Sequence, residues 1–121
     1  MIELPEGAPL SEYQRYVYDL EALHGWLDLD LVHNCFLMGE EVGELFKAVR
    51  KHERLFEQGE VPSADAEAAK AHVAEEIVDV LNYLLAIGHR LDLDLEAAFR
   101  AKNLRNQTRT WGPKTPEPPA R

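Results

Sequence analysis

Two pairs of acidic residues with the same spacing stand out in this sequence. Glu41 and Glu44 are three positions apart, Glu76 and Asp79 repeat that spacing, and Glu40 precedes the first pair. Because residues three apart lie on one side of an α-helix, each pair would present two carboxylates from one helix. Four converging carboxylates repel one another unless a cation lies between them. The pattern therefore predicts a site for a hard divalent ion such as Mg²⁺.

The apolar residues around the acids place both pairs on helices that are built alike. At about 100° per residue, each acidic pair falls on the flank of an apolar arc. If the two arcs pack against each other, the four acids meet at the edge of the core. The arcs consist of Leu31, Cys35, Met38, Val42, Leu45, Phe46 and Val49, and of Val73, Ile77, Val80, Leu81, Leu84 and Leu91.

A solvated helix face is the alternative interpretation of each acidic pair. Glutamate favours helices, and Glu-x-x-Glu runs commonly face water beside basic residues. Lys47, Arg50 and Lys51 follow Glu44 and could balance its charge. The matched offset of two pairs from two apolar arcs favours the metal site.

Helical periodicity and helix-start residues divide the chain into four helices, and no strand pattern is legible. Ser11 with Gln14 resembles a capping box, and Asp30, Ser63 and Asp94 are the expected N-caps of the other helices. We expect an all-α, four-helix bundle-like single domain. Its helices should cover about 11–23, 31–56, 63–91 and 95–108. We expect an N-terminal tail at 1–10, the domain at 11–111 and a disordered Pro-rich tail at 112–121.

Charge and hydropathy narrow the partners of the chain. The 121 residues include 22 acidic and 13 basic ones, and the net charge of −9 disfavours binding to duplex nucleic acid. Neither a signal peptide nor an apolar stretch long enough for a bilayer is evident, so we expect no membrane partner and a cytoplasmic location. The single cysteine, Cys35, is expected to be a packed small hydrophobe.

Apolar residues cover more of the third helix than one packed face needs. Ala74, Val78, Leu85 and Ile87 widen its apolar coverage to well over half of the circumference. In a chain of four helices, a second apolar face is typical of a subunit interface, and symmetric homo-oligomers are the commonest kind. We therefore expect a homodimer or a homotetramer.

Residues elsewhere could complete a site for a phosphorylated ligand. Lys102, Asn106 and Arg109 stand at i, i+4 and i+7 on the fourth helix, and two cations flanking an amide suit a phosphate chain and a sugar. Cations near a helix C-terminus also complement the helix dipole without any ligand. Tyr83 and Trp26 could order or stack on a base, although both residue types are more often packing residues.

The motifs of this chain resemble those of the MazG-like all-α nucleoside triphosphate pyrophosphohydrolases. Residues 39–45, Gly-Glu-Glu-Val-Gly-Glu-Leu, followed by Glu-x-x-Asp-Val-Leu at 76–81, look like the acidic signature of that family. Lys102, Asn106 and Arg109 are similar to the motif on its last core helix. The likeness covers most of the chain and looks closest to the single-domain MazG-like and deoxycytidine triphosphate pyrophosphatase branch.

This resemblance implies a helical oligomer that hydrolyses a nucleoside triphosphate to the monophosphate and pyrophosphate. The cofactor would be Mg²⁺, with Mn²⁺ able to substitute. Glu41, Glu44, Glu76 and Asp79 would be the metal ligands, and Glu40 would be a further acidic residue of the site. In the hydrolysis itself, a carboxylate that the metal does not saturate, Glu40 or Glu41, could take the proton from the attacking water. Nucleotide pool cleansing is the biological role that we expect, and signalling is the alternative that the sequence leaves open.

In the function that the resemblance implies, the basic motif of the fourth helix, Lys102, Asn106 and Arg109, would hold the phosphates and the sugar of the triphosphate.

Two other functions stay open beside this one. A phosphoribosyl-ATP pyrophosphohydrolase resembles the same superfamily in its acidic motifs, and Tyr83 together with that basic motif argues mildly against it. A noncatalytic, metal-stabilised helical interaction module is the third interpretation, and it predicts Mg²⁺-dependent stability without turnover.

Overall fold

The computed structural model describes residues 1–57 and 59–110, and its regular structure consists of four α-helices. Within these residues there is no strand, so the all-α prediction is confirmed. The predicted tail at 112–121 and the domain boundary at Trp111 lie outside the described residues. The helices are α1 Leu10–Leu23, α2 Leu31–Glu57, α3 Ser63–Arg90 and α4 Leu95–Thr108.

Acidic side chains cap two of the four helices, as predicted. The Asp30 carboxylate accepts a hydrogen bond from the backbone N–H of His33 at 2.8 Å. The Asp94 carboxylate accepts one from the backbone N–H of Ala97 at 3.0 Å. Each oxygen satisfies an N–H group that has no partner within its helix, which fixes the start of α2 and of α4.

The other two helices start after prolines and have no side-chain cap. Pro9 precedes α1 and Pro62 precedes α3, and neither helix has a capping hydrogen bond from a side chain. The capping roles predicted for Ser11 and Ser63 are therefore wrong. The two prolines are themselves the N-cap residues, and their carbonyls accept hydrogen bonds from the backbone N–H groups of Glu12 and Ala66, so these helices begin on backbone bonds alone.

Gln14, the predicted partner of Ser11, instead links α1 to the turn between α3 and α4. Its Nε2 donates to the Leu93 carbonyl at 2.9 Å, and its Oε1 accepts from the Leu95 N–H at 3.2 Å. Gln14 is buried, so these bonds satisfy an amide that water does not reach. The first turn of α4 is thereby fixed on α1, which is the main packing partner of α4.

Helices α2 and α3 form the main pair of the fold, and α1 packs against α3. Asn34 near the start of α2 and Ala86 near the end of α3 line one cavity. His52 near the end of α2 and Ala66 near the start of α3 line another. The two helices are therefore antiparallel, and this register sets Glu41 beside the acids of α3.

The apolar core is small and lies where α1, α3 and the start of α4 meet. Val17, Leu85 and Ala86 are buried there, and Leu10 and Leu95 are among the residues packed against them. In the described part of the chain, no helix has both the length and the hydrophobicity needed to cross a bilayer.

The apolar arcs predicted for α2 and α3 are only partly buried. Phe46 is 70% exposed, whereas its neighbour Ala48 is buried and Glu41 is half-buried. Helix α2 is rotated so that its side carrying Glu41 and Ala48 faces the seam with α3, because two packed helices bury only one stripe each. Cys35, which was predicted to be packed, is exposed as well. The exposed members of the arcs are Cys35, Phe46, Val49, Ile77, Leu81, Leu84 and Leu91.

The four residues that predicted a second apolar face on α3 differ in how far they are buried. Leu85 belongs to the core described above, so its expected place in a subunit interface is wrong. Ile87 is half-buried, whereas Ala74 is exposed and Val78 is 50% exposed. The homo-oligomer therefore stays a prediction that now depends on Val78 and the exposed arc residues.

Candidate functional site

Three of the four predicted metal ligands come together between α2 and α3. Glu41, Glu76 and Asp79 each offer one carboxylate oxygen, and these oxygens all lie within 4.8 Å of one another. The antiparallel register brings Glu41 to this point, and the spacing of three residues puts both α3 acids on one side. Glu41 and Glu76 are half-buried and Asp79 is exposed, so the group opens to water on one side.

Glu44 and Glu40 lie outside this group of oxygens, and both are exposed. Glu44 follows Glu41 by one turn of α2, and its charge acts on the Glu41 carboxyl. The metal-ligand role of Glu44 and the catalytic role of Glu40 stay predictions.

Burial and like charges act together on the protonation of Glu41. Burial raises the pKa of its carboxyl above the ordinary value, and the charges of Asp79 and Glu76 raise that pKa further. Each neighbouring carboxylate makes the ionised form of Glu41 less favourable. The group therefore favours a bound proton or a bound cation over a set of bare carboxylates.

The Glu76 carboxylate fits the role of a metal ligand. Its Oε2 atom is buried and has no hydrogen-bond partner. Its Oε1 atom lies 3.2 Å from His72 Nε2, one turn earlier on α3, which holds the side chain in place. A buried carboxylate oxygen without a partner is costly, and a hard divalent ion held with Glu41 and Asp79 would satisfy it.

A cavity of about 460 Å³ opens beside the acids, among residues of α1, α2, α3 and the α1–α2 connection. This volume is typical of pockets that bind small organic ligands. Trp26 and Tyr83 contribute aromatic rings to its wall, and Asn34 and Asn82 contribute amides. The other lining residues are Val17, Leu20, Glu21, Leu29, Leu37, Glu41, Asp79 and Ala86.

The two aromatic residues of the wall are accessible to a ligand. Trp26 is half exposed, and its ring stacks on the His24 ring with centroids 4.6 Å apart. Tyr83 is half-buried, and burial followed by the charges of Glu41 and Glu40 raises the pKa of its hydroxyl. The hydroxyl therefore keeps its proton at neutral pH and can donate a hydrogen bond. Their contact with a base stays a prediction.

Arg90, the last residue of α3, holds the α1–α2 connection against the cavity. Its guanidinium lies 2.9 Å from the Glu21 carboxylate, and both side chains are nearly buried, at 11% and 10% exposure. The same guanidinium donates to the backbone carbonyls of Trp26, at 2.8 Å, and of Leu29. A planar group with five N–H donors can serve several acceptors at once. The segment that carries Trp26 is thus fixed by α3.

The predicted phosphate-binding residues of α4 lie apart from this cavity. Lys102 is exposed, Asn106 is half-buried, and Arg109 is the residue that follows the last turn of α4. The backbone N–H of Arg109 bonds to the Arg105 carbonyl at 2.9 Å and continues the helical pattern, so the shared face of the three residues stays a prediction. None of the three is among the described residues that line the cavity. Their role in binding phosphate stays a prediction.

Residues 24–106 match the family model of the phosphoribosyl-ATP pyrophosphohydrolases. The chain belongs to this family. The matched segment begins in the connection between α1 and α2 and ends within α4, so it contains the three acids that meet. No curated protein matches the sequence.

Membership of the phosphoribosyl-ATP pyrophosphohydrolase family confirms the coarser part of the prediction from sequence. The family belongs to the MazG-like all-α superfamily, which is the group that the motifs resemble. The chain is accordingly a pyrophosphohydrolase that acts on a nucleotide.

Two amides in the cavity of this phosphoribosyl-ATP pyrophosphohydrolase family member were not predicted as site residues. Asn34 precedes Glu41 by seven positions, and Asn82 follows Asp79 by three. Residues at these spacings lie on the same side of a helix as the acids. The sequence therefore did contain a signal, namely a polar residue one or two turns from each acid on the acid-bearing side.

Proposed function

We propose that this protein is a Mg²⁺-dependent nucleoside triphosphate pyrophosphohydrolase, which releases a nucleoside monophosphate and pyrophosphate. The observation that carries the proposal is the meeting of Glu41, Glu76 and Asp79 beside a cavity with two aromatic rings. Carboxylate oxygens suit Mg²⁺, for which Mn²⁺ can substitute, and Mg²⁺ sites commonly combine one or two carboxylates with substrate phosphates. A base in the cavity would place the triphosphate at the acids.

Hydrolysis at the α-phosphorus needs a water molecule, a proton acceptor and positive charge. Water attacks the α-phosphorus, the bond to the bridging oxygen breaks, and pyrophosphate leaves with the electron pair of that bond. When bound, Mg²⁺ would supply positive charge for the phosphoryl oxygens and make the water more acidic. Glu41, or Glu40 beside it, would take the proton from the water.

Lys102, Asn106 and Arg109 are proposed to hold the phosphates and the sugar. Asn106 donates from Nδ2 to Asn103 Oδ1 at 3.3 Å, and its own Oδ1 is buried without a partner. Such an acceptor suits a sugar hydroxyl. Because α4 packs mainly on α1, a homodimer or homotetramer would let α4 of one copy serve the acids of another.

Phosphoribosyl-ATP is the second candidate substrate, because the matching family bears its name. The bond cleaved, between the α- and β-phosphates, would be the same as in a nucleoside triphosphate. Phosphoribosyl-ATP carries an additional phosphate on a second ribose that is attached to the base, so this phosphate would lie with the base in the cavity and would need a cationic partner there. Among the described residues that line the cavity there is no Lys or Arg. This lining favours an ordinary nucleoside triphosphate and the single-domain MazG-like branch, with a role in removing unwanted nucleotides.

A substrate panel tests the proposal directly. Purified protein is incubated with Mg²⁺ and each of the eight common nucleotides or phosphoribosyl-ATP, and the products are resolved by chromatography. We expect monophosphate and pyrophosphate, without free phosphate, from at least one nucleoside triphosphate. Turnover of phosphoribosyl-ATP alone would move the substrate to the second candidate. Mg²⁺-dependent thermal stability without any turnover would indicate a noncatalytic helical module instead.

A further inference from the structure

Asn34, in the first turn of α2, is the most buried polar side chain of the described residues. It is 1% exposed, and it lines the cavity beside the acids. Its backbone N–H bonds to the Asp30 carbonyl at 3.0 Å, so the start of the helix sets its position. Its side-chain Nδ2 is buried and has no hydrogen-bond partner. An amide donor therefore borders the cavity with no acceptor provided by the described residues.

Gln14 and Glu21, the other two polar residues that are buried in the described part of the chain, have partners, and the other buried atoms without one, Glu76 Oε2 and Asn106 Oδ1, belong to groups proposed to bind the metal or the substrate. Gln14 bonds to two backbone groups through its amide. Glu21 pairs with Arg90 at 2.9 Å. Structural polar groups thus have partners within the chain, as they do in most folded proteins. The unpaired donor of Asn34 lies in the cavity wall, where a ligand would supply the missing acceptor.

We propose that Asn34 determines base specificity by donating a hydrogen bond from Nδ2 to a carbonyl oxygen or ring nitrogen on the base edge. The inference rests on the proposed function, because it places the base in the same cavity. Trp26 and Tyr83 offer ring faces to the base, and Asn82 offers a second amide. A base that has no acceptor opposite Asn34 Nδ2 would leave this buried donor unpaired. A binding site that pairs a buried donor with its ligand discriminates strongly against ligands that lack the acceptor.

Calorimetric titration with nucleoside monophosphates in Mg²⁺ tests this role. AMP, CMP, GMP and UMP, with their deoxy forms, are titrated into wild type and into Asn34→Leu, which keeps the approximate size of the side chain and removes the donor. We expect wild type to bind its preferred base at least about tenfold more tightly than the poorest one. The variant should bind all bases within about threefold of one another. Gln107→Leu makes the same exchange at an exposed position of α4 and should keep the preference.

Thermal stability distinguishes recognition of the base by Asn34 from a purely structural role of this residue. Removing a buried, unpaired donor should leave the melting temperature of Asn34→Leu unchanged or raised. A structural hydrogen bond would instead be lost, and the melting temperature would fall. Should Asn34→Leu fail to fold, Asn34→Ala replaces it in the same titrations. Failure of both variants to fold would overturn the proposal, because Asn34 would then be a structural residue.

The remaining outcomes also decide between the two proposals. A wild type without base preference, or a variant that retains the preference, overturns the role of Asn34. Pyrophosphate release is measured on the same preparations. Base-selective binding without release would refute the proposed function and leave the role of Asn34 standing. Pyrophosphate release together with an unchanged base preference in Asn34→Leu would support the proposed function and overturn the role of Asn34.

Discussion

Glu41 of α2 and Asp79 of α3 each contribute a carboxylate oxygen to the proposed metal site. We therefore expect both residues to be needed for turnover. Glu41→Gln and Asp79→Asn keep the shape of each side chain and remove its charge. Loss of a residue that only supports a metal ligand commonly lowers activity 10–100-fold, so loss of a ligand should lower kcat/KM at least about a hundredfold. Circular dichroism should show the same helix content as wild type.

Glu75→Gln is the matched control for these two variants. Glu75 is the exposed neighbour of Glu76 on α3, and it lies outside the group of converging oxygens. We expect near wild-type kcat/KM for this variant. Near-normal activity in Glu41→Gln and Asp79→Asn as well would show that these acids do not form the catalytic centre.

The raised pKa of Glu41 predicts how the metal-free protein responds to pH. Burial and the charges of Asp79 and Glu76 raise this pKa in the folded state. The unfolded chain then releases the proton first, so stability is lost as pH rises from the ordinary carboxyl pKa through the raised one. In EDTA at neutral pH, Glu41→Gln should melt at the same or a higher temperature than wild type. The difference should disappear below the ordinary carboxyl range, and a less stable variant at neutral pH would contradict the prediction.

Arg109 follows the last turn of α4, where two roles predict different measurements. If it holds phosphate, Arg109→Ala should lower kcat/KM at least about tenfold, because a charge-assisted contact contributes roughly 1.5–3 kcal/mol. If it complements the helix dipole, the change costs about 0.3–1 kcal/mol of stability and leaves the kinetics alone. Arg105→Ala, in the last turn of the same helix, is the control. A lower melting temperature with unchanged kinetics would remove Arg109 from the site.

The connection between α1 and α2 depends on one residue of another helix, Arg90. Arg90→Met should destabilise the fold by about 3–5 kcal/mol, because it leaves the nearly buried Glu21 carboxylate without its partner. Urea unfolding monitored by circular dichroism measures this loss. A second change, Glu21→Gln, should recover part of it by removing the unpaired charge.

Arg100→Met is the matched control at an exposed ion pair of α4. Arg100 lies 3.7 Å from Glu96, and its side chain is largely exposed. Pairs of this kind contribute about 0–1 kcal/mol. An effect of Arg90→Met no larger than that of Arg100→Met would show that the connection is held by other contacts.

The existence of the helices could be predicted from sequence, but their rotation could not. Apolar periodicity and the caps at Asp30 and Asp94 are local signals, and the observed helices begin and end within about two residues of those expected. Rotation depends on which of two apolar stripes meets the partner helix. On α2 the small Ala48 faces the seam and the large Phe46 faces water, a choice that periodicity alone does not make.

A single chain leaves large apolar side chains open to water on both long helices. Phe36 of α2 is 71% exposed, and Val78 of α3 is half exposed. Apolar surface of this extent is typical of a subunit interface. Light scattering at micromolar concentration should therefore give at least twice the 13.8 kDa mass of one chain. Val78→Asp should shift the protein toward the monomer, because a charge buried in an apolar interface is costly.

Ala68→Asp is the control, since it places the same charge at an exposed position nearer the start of α3. It should leave the mass unchanged. A wild-type mass of one chain would contradict the prediction, and equal masses for wild type and Val78→Asp would place Val78 outside the interface.

The parts of the site differ in how far sequence could predict them. Glu76 and Asp79 are three residues apart, so their common direction is a local property that sequence shows. Arg90 and Glu21 are 69 positions apart, and only the packing of α1 against α3 brings them together. Asn34 is intermediate in this respect. The sequence shows its helical spacing from Glu41, but its burial depends on how the helices pack.

The α1–α2 connection is anchored through main-chain atoms, and this leaves its side chains free to vary. Arg90 bonds to the carbonyl oxygens of Trp26 and Leu29, which every amino acid would present. Substitutions at these two positions can therefore alter the wall of the cavity while the backbone keeps its anchor. A chain built in this way can acquire a new ligand preference by single substitutions, so this connection is the natural place to begin directed evolution of the enzyme.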